Sequence, residues 1–147
     1  KERGSCFAAI LYLCTHFHSS RAMSVVHILA VFIGGGAGSL ARYAISRNIA
    51  LLPSTHFPWP TFIANVAGCL LIGLLSALMA RGFGSETMRL ALVVGFCGGF
   101  TTFSTFSKET LSLLADGHLL IAAVYALGSV LAGLAAVAIG LRIAPVN

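Results

Sequence analysis

The chain has 147 residues, of which 58% are hydrophobic and only 9% are charged, with a formal net charge of +5 at pH 7. A soluble domain carries about 25% charged residues, so this composition excludes a water-soluble domain and indicates an integral membrane protein. The cationic residues are scattered singly between apolar runs, as in the flanks of membrane helices, and form no basic face interleaved with aromatic residues. Nucleic-acid binding is therefore excluded as well.

Residues 1–22 differ from the rest of the chain. Their apolar run from Cys6 to Cys14 is shorter than the roughly 17 residues that a membrane span needs. Met23 immediately precedes the first long apolar segment. We therefore expect residues 1–22 to be an N-terminal extension outside the core, and residues 23–147 to form one domain of four spans.

The first span is predicted at about Val25 to Asn48. Its Gly34-x-x-x-Gly38 pattern provides a face of small residues on which another helix can approach closely. Arg42 follows late in the span, where two interpretations stay open. It either anchors the helix by reaching the membrane interface, or it attracts anions.

The second span is predicted at about Thr61 to Ala80, after a loop that contains three prolines. Thr61 and Asn65 are four residues apart and therefore share a helix face. An amide in hydrocarbon needs hydrogen-bond partners. Asn65 therefore makes an interhelical hydrogen bond or presents its N–H to a pore.

The third span, from about Thr87 to Leu114, contains three glycines within five residues. Each glycine costs about 1 kcal/mol relative to alanine in a helix interior, so we predict that the helix breaks at Gly98–Gly99 and then restarts. The restarted helix carries hydroxyl and phenyl side chains at i,i+3 spacing, namely Thr102 with Thr105 and Phe103 with Phe106. Irregular backbone at membrane depth is tolerated only inside protein or along a water-filled path. The pattern therefore indicates an ion site or a pore.

The fourth span is predicted at about Leu119 to Leu141, with Tyr125 and Ser129 four residues apart on one face. No Asp or Glu lies in the middle of any span, although proton-driven transporters and cation paths usually carry such acids. Neutral O–H and N–H donors together with the electropositive edges of aromatic rings suit an anion. Main-chain carbonyls at a helix break would suit a cation.

Four motifs of this chain carry a family resemblance. They are Gly-Gly-Gly-Ala-Gly-Ser-Leu-Ala-Arg-Tyr at 34–43, Pro60-Thr61-x-x-x-Asn65-x-x-Gly68, the run from Gly95 to Phe106, and Tyr125-x-x-x-Ser129. With these motifs, the chain from about Ser24 to Ala144 resembles the Fluc (CrcB-type) fluoride channels. The Gly95–Phe106 run is the most specific of the four.

The resemblance implies an all-α membrane protein with four transmembrane helices, the third broken in mid-membrane. It implies an antiparallel, dual-topology homodimer in the cell membrane. The implied function is that of a passive fluoride-selective channel, which exports cytoplasmic fluoride and so lowers its toxicity. A channel of this kind is not an enzyme.

The resemblance also implies roles for single residues. A sodium ion at the dimer centre would be held by the main-chain carbonyls of Gly98 and Thr101. Phe103 and Phe106 would contact fluoride, and Asn65 would donate a hydrogen bond to it. Further groups would lie along the path, namely Thr61, Tyr125, Ser129 and Glu109 in a polar track and Arg42 near the vestibule. Gly133 stands where relatives often have another serine, which leaves one hydroxyl fewer in the track.

The charges fit dual topology independently of the resemblance, because orientation follows the Lys/Arg bias between the two sides of the membrane. Without the first few residues that bias is nearly absent: one side carries Arg21, Arg81, Arg89 and Arg142, and the other carries Arg42, Arg47 and Lys108. Lys1 and Arg3 of the N-terminal extension would tip the balance somewhat, which is a further reason to expect that the extension does not belong to the working protein.

Two other classes of protein were weighed. A small dual-topology multidrug or cation exporter shares the size and charge balance, but it should have a membrane-embedded Glu in its first span, and that span has no acidic residue. An intramembrane enzyme would use Ser104 or Ser129 as its nucleophile. The only nearby bases are then His27 and His118, which lie near span ends.

Overall fold

The computed structural model describes residues 24–49 and 56–143. Four segments of these residues are helical and are long and apolar enough to cross a membrane: Val25–Ile49, Trp59–Ala80, Glu86–Ala115 and Leu119–Ile143, the first to fourth spans. The predicted all-α, four-span architecture is thereby confirmed, and the chain is a multi-pass membrane protein. The extension predicted at residues 1–22 lies outside the described residues.

The third span is not one uniform helix. An α-helical turn, Glu86–Arg89, leads into a π-helical segment, Leu90–Cys97, and a short α-helical segment, Gly98–Phe100. Thr101 and Thr102 then have extended backbone, and an α-helix resumes over Phe103–Ala115. Helical geometry therefore stops after Phe100, whereas the sequence placed the interruption at Gly98–Gly99. That placement was wrong, since both glycines are helical.

Two glycines of the third span, Gly95 and Gly99, pack closely against the first span, whereas nothing lies within 4 Å of the Cβ position of Gly98. A Cβ atom on Gly99 would meet the backbone carbonyl of Gly35, and a Cβ atom on Gly38 would meet the carbonyl of Phe96. The two backbones are thus in direct contact, as small residues allow in membrane helices. Glycine in a membrane helix can indicate either a break, because of its low helix propensity, or a close contact with another helix. The glycine pair was interpreted as a break, whereas the structure shows a close contact at Gly99.

The second and fourth spans form an equivalent parallel pair. A Cβ atom on Gly73 would meet the backbone carbonyl of Val137, and one on Gly133 would lie 3.3 Å from the Sγ atom of Cys69. Residues in contact across this pair therefore differ in number by 64 at both places. This register holds from Cys69 to Gly73 and changes further along, where a Cβ atom on Gly140 would meet backbone atoms of Leu70 and Leu74.

The turns after the second and the third span are closed by backbone hydrogen bonds at glycines. Gly82 and Gly117 have positive φ angles of 77° and 78°, which L-residues rarely adopt. The N–H groups that follow these glycines donate back to the preceding helices, from Phe83 to the carbonyl of Leu78 and from His118 to that of Leu113. These turns hold consecutive spans side by side.

The close contact at Gly38 predicts a sharp difference between two neighbouring glycine variants. Gly38→Ala should lower stability by about 1–3 kcal/mol, because its methyl group meets backbone atoms that cannot move aside. Gly36→Ala on the same helix should be tolerated, since nothing lies within 4 Å of its Cβ position. The apparent melting temperature in detergent checks this, and equal melting temperatures would contradict the packing described.

Candidate functional site

The side chain of Asn65 pairs with the backbone of Thr102 across two spans. The N–H of Thr102 donates to Oδ1 of Asn65 at 2.8 Å, and Nδ2 of Asn65 donates to the carbonyl of Thr102 at 3.2 Å. The amide thus satisfies both backbone groups of a residue that lies outside the helix. Unpaired backbone groups in apolar surroundings cost about 1–3 kcal/mol each, so this pair stabilises the extended conformation. The interhelical hydrogen bond, one of the two interpretations of Asn65, is therefore present, and the second hydrogen on Nδ2 has no acceptor in the part of the chain that the structure describes.

The same interruption frees backbone carbonyls. In a continuous helix, the N–H of Thr102 would donate to the carbonyl of Gly98, and that of Thr105 to the carbonyl of Thr101. Here the N–H of Thr102 donates to Asn65 instead, and the N–H of Thr105 donates to the Thr102 hydroxyl at 3.2 Å. The carbonyls of Gly98 and Thr101 therefore lose their helical donors, and unwound carbonyls of this kind are suitable ligands for Na⁺.

Arg42 contacts the interruption from the first span. Its Nε atom donates to the carbonyl of Gly99 at 3.2 Å, and the hydroxyl of Ser39 reaches the same oxygen at 3.4 Å. The carbonyl end of a helix carries negative partial charge, so a guanidinium group is favourable there. From the sequence, Arg42 was predicted to be an anchor or a group that attracts anions, and Ser39 was not singled out. The spacing of Gly35, Ser39 and Arg42 on one helix face was the available signal.

The carboxylate of Glu109 joins three spans. The hydroxyl of Thr61 donates to Oε1 at 2.8 Å, and that of Tyr125 donates to Oε2 at 2.7 Å. Thr61 is 5% exposed and Tyr125 is fully buried. Each hydroxyl has a single proton, which here goes to the carboxylate. The hydroxyls of Thr61 and Tyr125 therefore orient Glu109. Each can donate to another anion only when its hydrogen bond to Glu109 is broken.

The two phenylalanines of the resumed helix differ in their surroundings. Phe106 is half-buried, with its ring centroid 5.1 Å from that of Tyr125 and 5.8 Å from that of Phe103. Phe103 itself is 79% exposed in the single chain. The positive edges of both rings are available where the third span resumes. Within the single chain, protein atoms cover Phe106 in part and leave Phe103 largely uncovered.

Ser129 lies one helical turn after Tyr125 on the fourth span. Its Oγ atom is buried and has no hydrogen-bond partner among the described residues. The register of 64 places Ser129 level with Asn65, just as it places Tyr125 level with Thr61. Two levels of polar groups therefore lie one helical turn apart between the second and fourth spans.

Thr102 was predicted to lie on the restarted helix with Thr105, whereas the structure places it directly before that helix, with extended backbone. Its hydroxyl accepts from the N–H of Thr105 and contacts the hydroxyls of Ser104 and Thr105, so it caps the resumed helix. The signal was available, since a threonine directly before a helix is a common N-cap. In residues 24–49 and 56–143, no three His, Cys, Asp or Glu side chains meet in a way that could hold a metal ion.

The fold and site define an integral membrane protein of four spans, in which one span is interrupted beside buried polar side chains. The chain belongs to the family described as CrcB-like protein, Camphor Resistance (CrcB), whose model matches residues 29–141. The family resemblance inferred from the sequence is thereby confirmed.

Several relatives are similar over the whole four-span region. A protein of Phocaeicola vulgatus is 45% identical over 114 residues, which cover 78% of this chain and 94% of the relative. A protein of Novosphingobium aromaticivorans is 48% identical over 77% of this chain and 91% of the relative. A protein of Chloroflexus aurantiacus is 49% identical over 78% of this chain and 91% of the relative. All three are named fluoride-specific ion channel FluC.

The shared carboxylate predicts a charge-dependent effect of removing the tyrosine hydroxyl. Tyr125→Phe should cost about 1.5–3 kcal/mol of stability, because it leaves the half-buried carboxylate of Glu109 with one hydrogen-bond donor fewer. The cost should be clearly smaller in a Glu109→Gln background, where no charge remains to be satisfied. Unfolding of the four proteins in detergent gives both values, and an equal cost in the two backgrounds would contradict the assigned contact.

Proposed function

We propose that this protein is a passive fluoride-selective channel that exports fluoride from the cell and so lowers its toxicity. Membership of the CrcB-like family and the names of relatives at 45–49% identity support this. The structural observation that carries the proposal is the set of neutral donors and ring edges beside the interruption at Thr101–Thr102.

Fluoride holds its water strongly, so a pore must replace that shell with donors yet release the ion again. Three kinds of group are suited to this task here. They are the unused N–H of Asn65, the unpartnered hydroxyl of Ser129, and the edges of Phe103 and Phe106. Each binds an anion without a full opposite charge, which favours release.

Passive conduction is the simplest mechanism for this set of groups. The one carboxylate in the track, Glu109, is engaged by Thr61 and Tyr125, whose hydroxyls connect the second and fourth spans to it. A fluoride ion would leave down its gradient after entering the cell as neutral HF. The first span contains no acidic residue, so the alternative of a small multidrug or cation exporter gains no support.

We further propose that the working unit is an antiparallel, dual-topology homodimer whose third helices are broken in mid-membrane. Thr101 and Thr102 are near the centre of the 30-residue third span, which favours a mid-membrane position. The ring of Phe103 is 79% exposed beside the interruption in the single chain, and in the dimer the second chain would cover it. The nearly balanced Lys/Arg distribution supports insertion in both orientations.

Sodium at the dimer centre is part of the same proposal. Its ligands would be the carbonyls of Gly98 and Thr101 from each chain, which lack their helical donors. When bound, the ion would neutralise these oxygens and join the two interruptions. These carbonyls are free because the N–H groups of Thr102 and Thr105 donate to side chains, those of Asn65 and Thr102, and not to the backbone.

Fluoride efflux from liposomes that contain the purified protein tests the function, with chloride efflux as the control. The wild type should release fluoride and retain chloride. Phe106→Ile removes a ring edge and Asn65→Asp replaces an amide donor with a carboxylate, so each should lower fluoride efflux at least about tenfold, the equivalent of about 1.4 kcal/mol.

Leu120→Ile, at a side chain that is 77% exposed, is the matched control and should conduct as the wild type does. Wild-type rates in both Phe106→Ile and Asn65→Asp would remove the pore assignment.

The sodium proposal predicts a cation-dependent dimer. Replacing Na⁺ with the bulky cation N-methyl-D-glucamine should lower the melting temperature of the purified dimer in detergent, because the facing carbonyls would lose their shared ligand. Titration with Na⁺ should restore it in a saturable way, while an equal ionic strength of choline should not. Identical melting curves in all three media would contradict a sodium site.

A further inference from the structure

The second span begins beside a pair of phenylalanines. Phe57 directly precedes Pro58, the N-cap of the helix Trp59–Ala80. The ring centroid of Phe57 lies 5.5 Å from that of Phe62, with an interplanar angle of 71°. Contact between the residue before an N-cap and the fourth residue of the helix is a hydrophobic staple, which fixes the direction in which the chain enters the helix. Phe57 and Phe62 form such a staple.

The backbone around Phe57 is also held in place. Pro58 has φ −78° and ψ 67°, the angles of an inverse γ-turn, and the N–H of Trp59 donates to the carbonyl of Phe57 at 2.9 Å across this turn. The neighbouring His56 contacts His118, directly before the fourth span, with 4.1 Å between their ring centroids. The segment 56–58 is therefore attached to the start of the second span and to the start of the fourth.

From this fixed position, the ring of Phe57 contacts Tyr125 of the fourth span. Their ring centroids are 5.4 Å apart with an interplanar angle of 81°, which is the edge-to-face arrangement that aromatic pairs prefer. Phe106 contacts the same tyrosine ring, at 5.1 Å between centroids. Tyr125 is fully buried, and its hydroxyl donates to Oε2 of Glu109 at 2.7 Å.

The hydroxyl of Tyr125 is at the far end of its side chain, so its position is sensitive to small rotations. A rotation of about 20° about the first side-chain bond stays within one rotamer well, yet it moves the hydroxyl by about 2 Å. A displacement of this size is enough to break a hydrogen bond. The rings that contact Tyr125 therefore determine whether its hydroxyl stays on Glu109.

We propose that Phe57 is a positioning residue for the fluoride path, whose ring keeps the hydroxyl of Tyr125 on Glu109. The inference rests on the proposed channel function. A carboxylate that loses one of its two hydroxyl donors presents more of its negative charge to a passing anion and repels it. Phe57 therefore acts on the ion through Tyr125 and Glu109.

Replacing the ring of Phe57 tests this role. Phe57→Leu should lower fluoride efflux from liposomes about threefold to tenfold, because leucine keeps an apolar contact with Phe62 but has no planar ring to hold Tyr125. Phe57→Met also lacks the ring and should show the same loss, so it replaces a leucine variant that aggregates. Elution as a single sharp peak in gel filtration confirms that each variant is folded.

Phe62→Leu is the matched control, because it removes the ring of the other member of the staple. Phe62 makes ring contacts with Phe57 and Trp59 and, within residues 24–49 and 56–143, none with Tyr125. Its efflux should stay within about twofold of the wild type, since the ring of Phe57 still contacts Tyr125.

A Tyr125→Phe background separates positioning from packing. This variant keeps the ring at position 125 but has no hydroxyl, so Phe57 has no donor left to position. Phe57→Leu should then change efflux by less than about twofold, because the two residues act through one contact and their effects are not additive. A role in packing alone would give the same loss in both backgrounds.

The outcomes distinguish this inference from the proposed function. Wild-type efflux in Phe57→Leu overturns the positioning role alone. So does a loss in Phe62→Leu equal to that in Phe57→Leu, or an undiminished effect of Phe57→Leu in the Tyr125→Phe background. A wild-type protein without fluoride efflux overturns the proposed function and this inference together.

Discussion

Two hydrogen bonds between the amide of Asn65 and the backbone of Thr102 underlie the other features of the site. They satisfy an extended residue that would otherwise leave a donor and an acceptor unpaired in apolar surroundings. Because the N–H of Thr102 is used in this way, the carbonyl of Gly98 has no helical donor. Because Thr102 is extended, its hydroxyl can cap the resumed helix, which sets the direction in which Phe103 and Phe106 project.

The interruption also brings opposite partial charges close together. The carbonyl end of one helical segment and the N–H end of the next are separated only by Thr101 and Thr102. Arg42 and Ser39 satisfy one of the carbonyls, that of Gly99, and leave its neighbours open. Groups that suit a cation and groups that suit an anion can therefore lie a few ångströms apart without a carboxylate between them.

The four spans could be predicted from the sequence because their apolar runs are long and the turns between them contain glycine. Sequence reasoning also reached Asn65 and Tyr125, since polar side chains at helical spacing stand out in apolar helices, whereas Glu109 was assigned from the family resemblance alone. It misplaced the interruption, because low helix propensity and close backbone contact both select glycine, and only the packing against Gly35 distinguishes them. The π-helical segment Leu90–Cys97 and the contact between Cys69 and Gly133 depend on how separate spans fit together. No local pattern encodes these two features.

The order of the helix pairs has a consequence for how the protein is made. The first span packs along the third, and the second packs along the fourth. The two members of each pair are therefore separated in sequence by another span. The first span must therefore wait in the bilayer until the third has left the ribosome, and the glycine face around Gly38 meets only lipid during that time. A pause in synthesis after the second span would prolong this unpaired state.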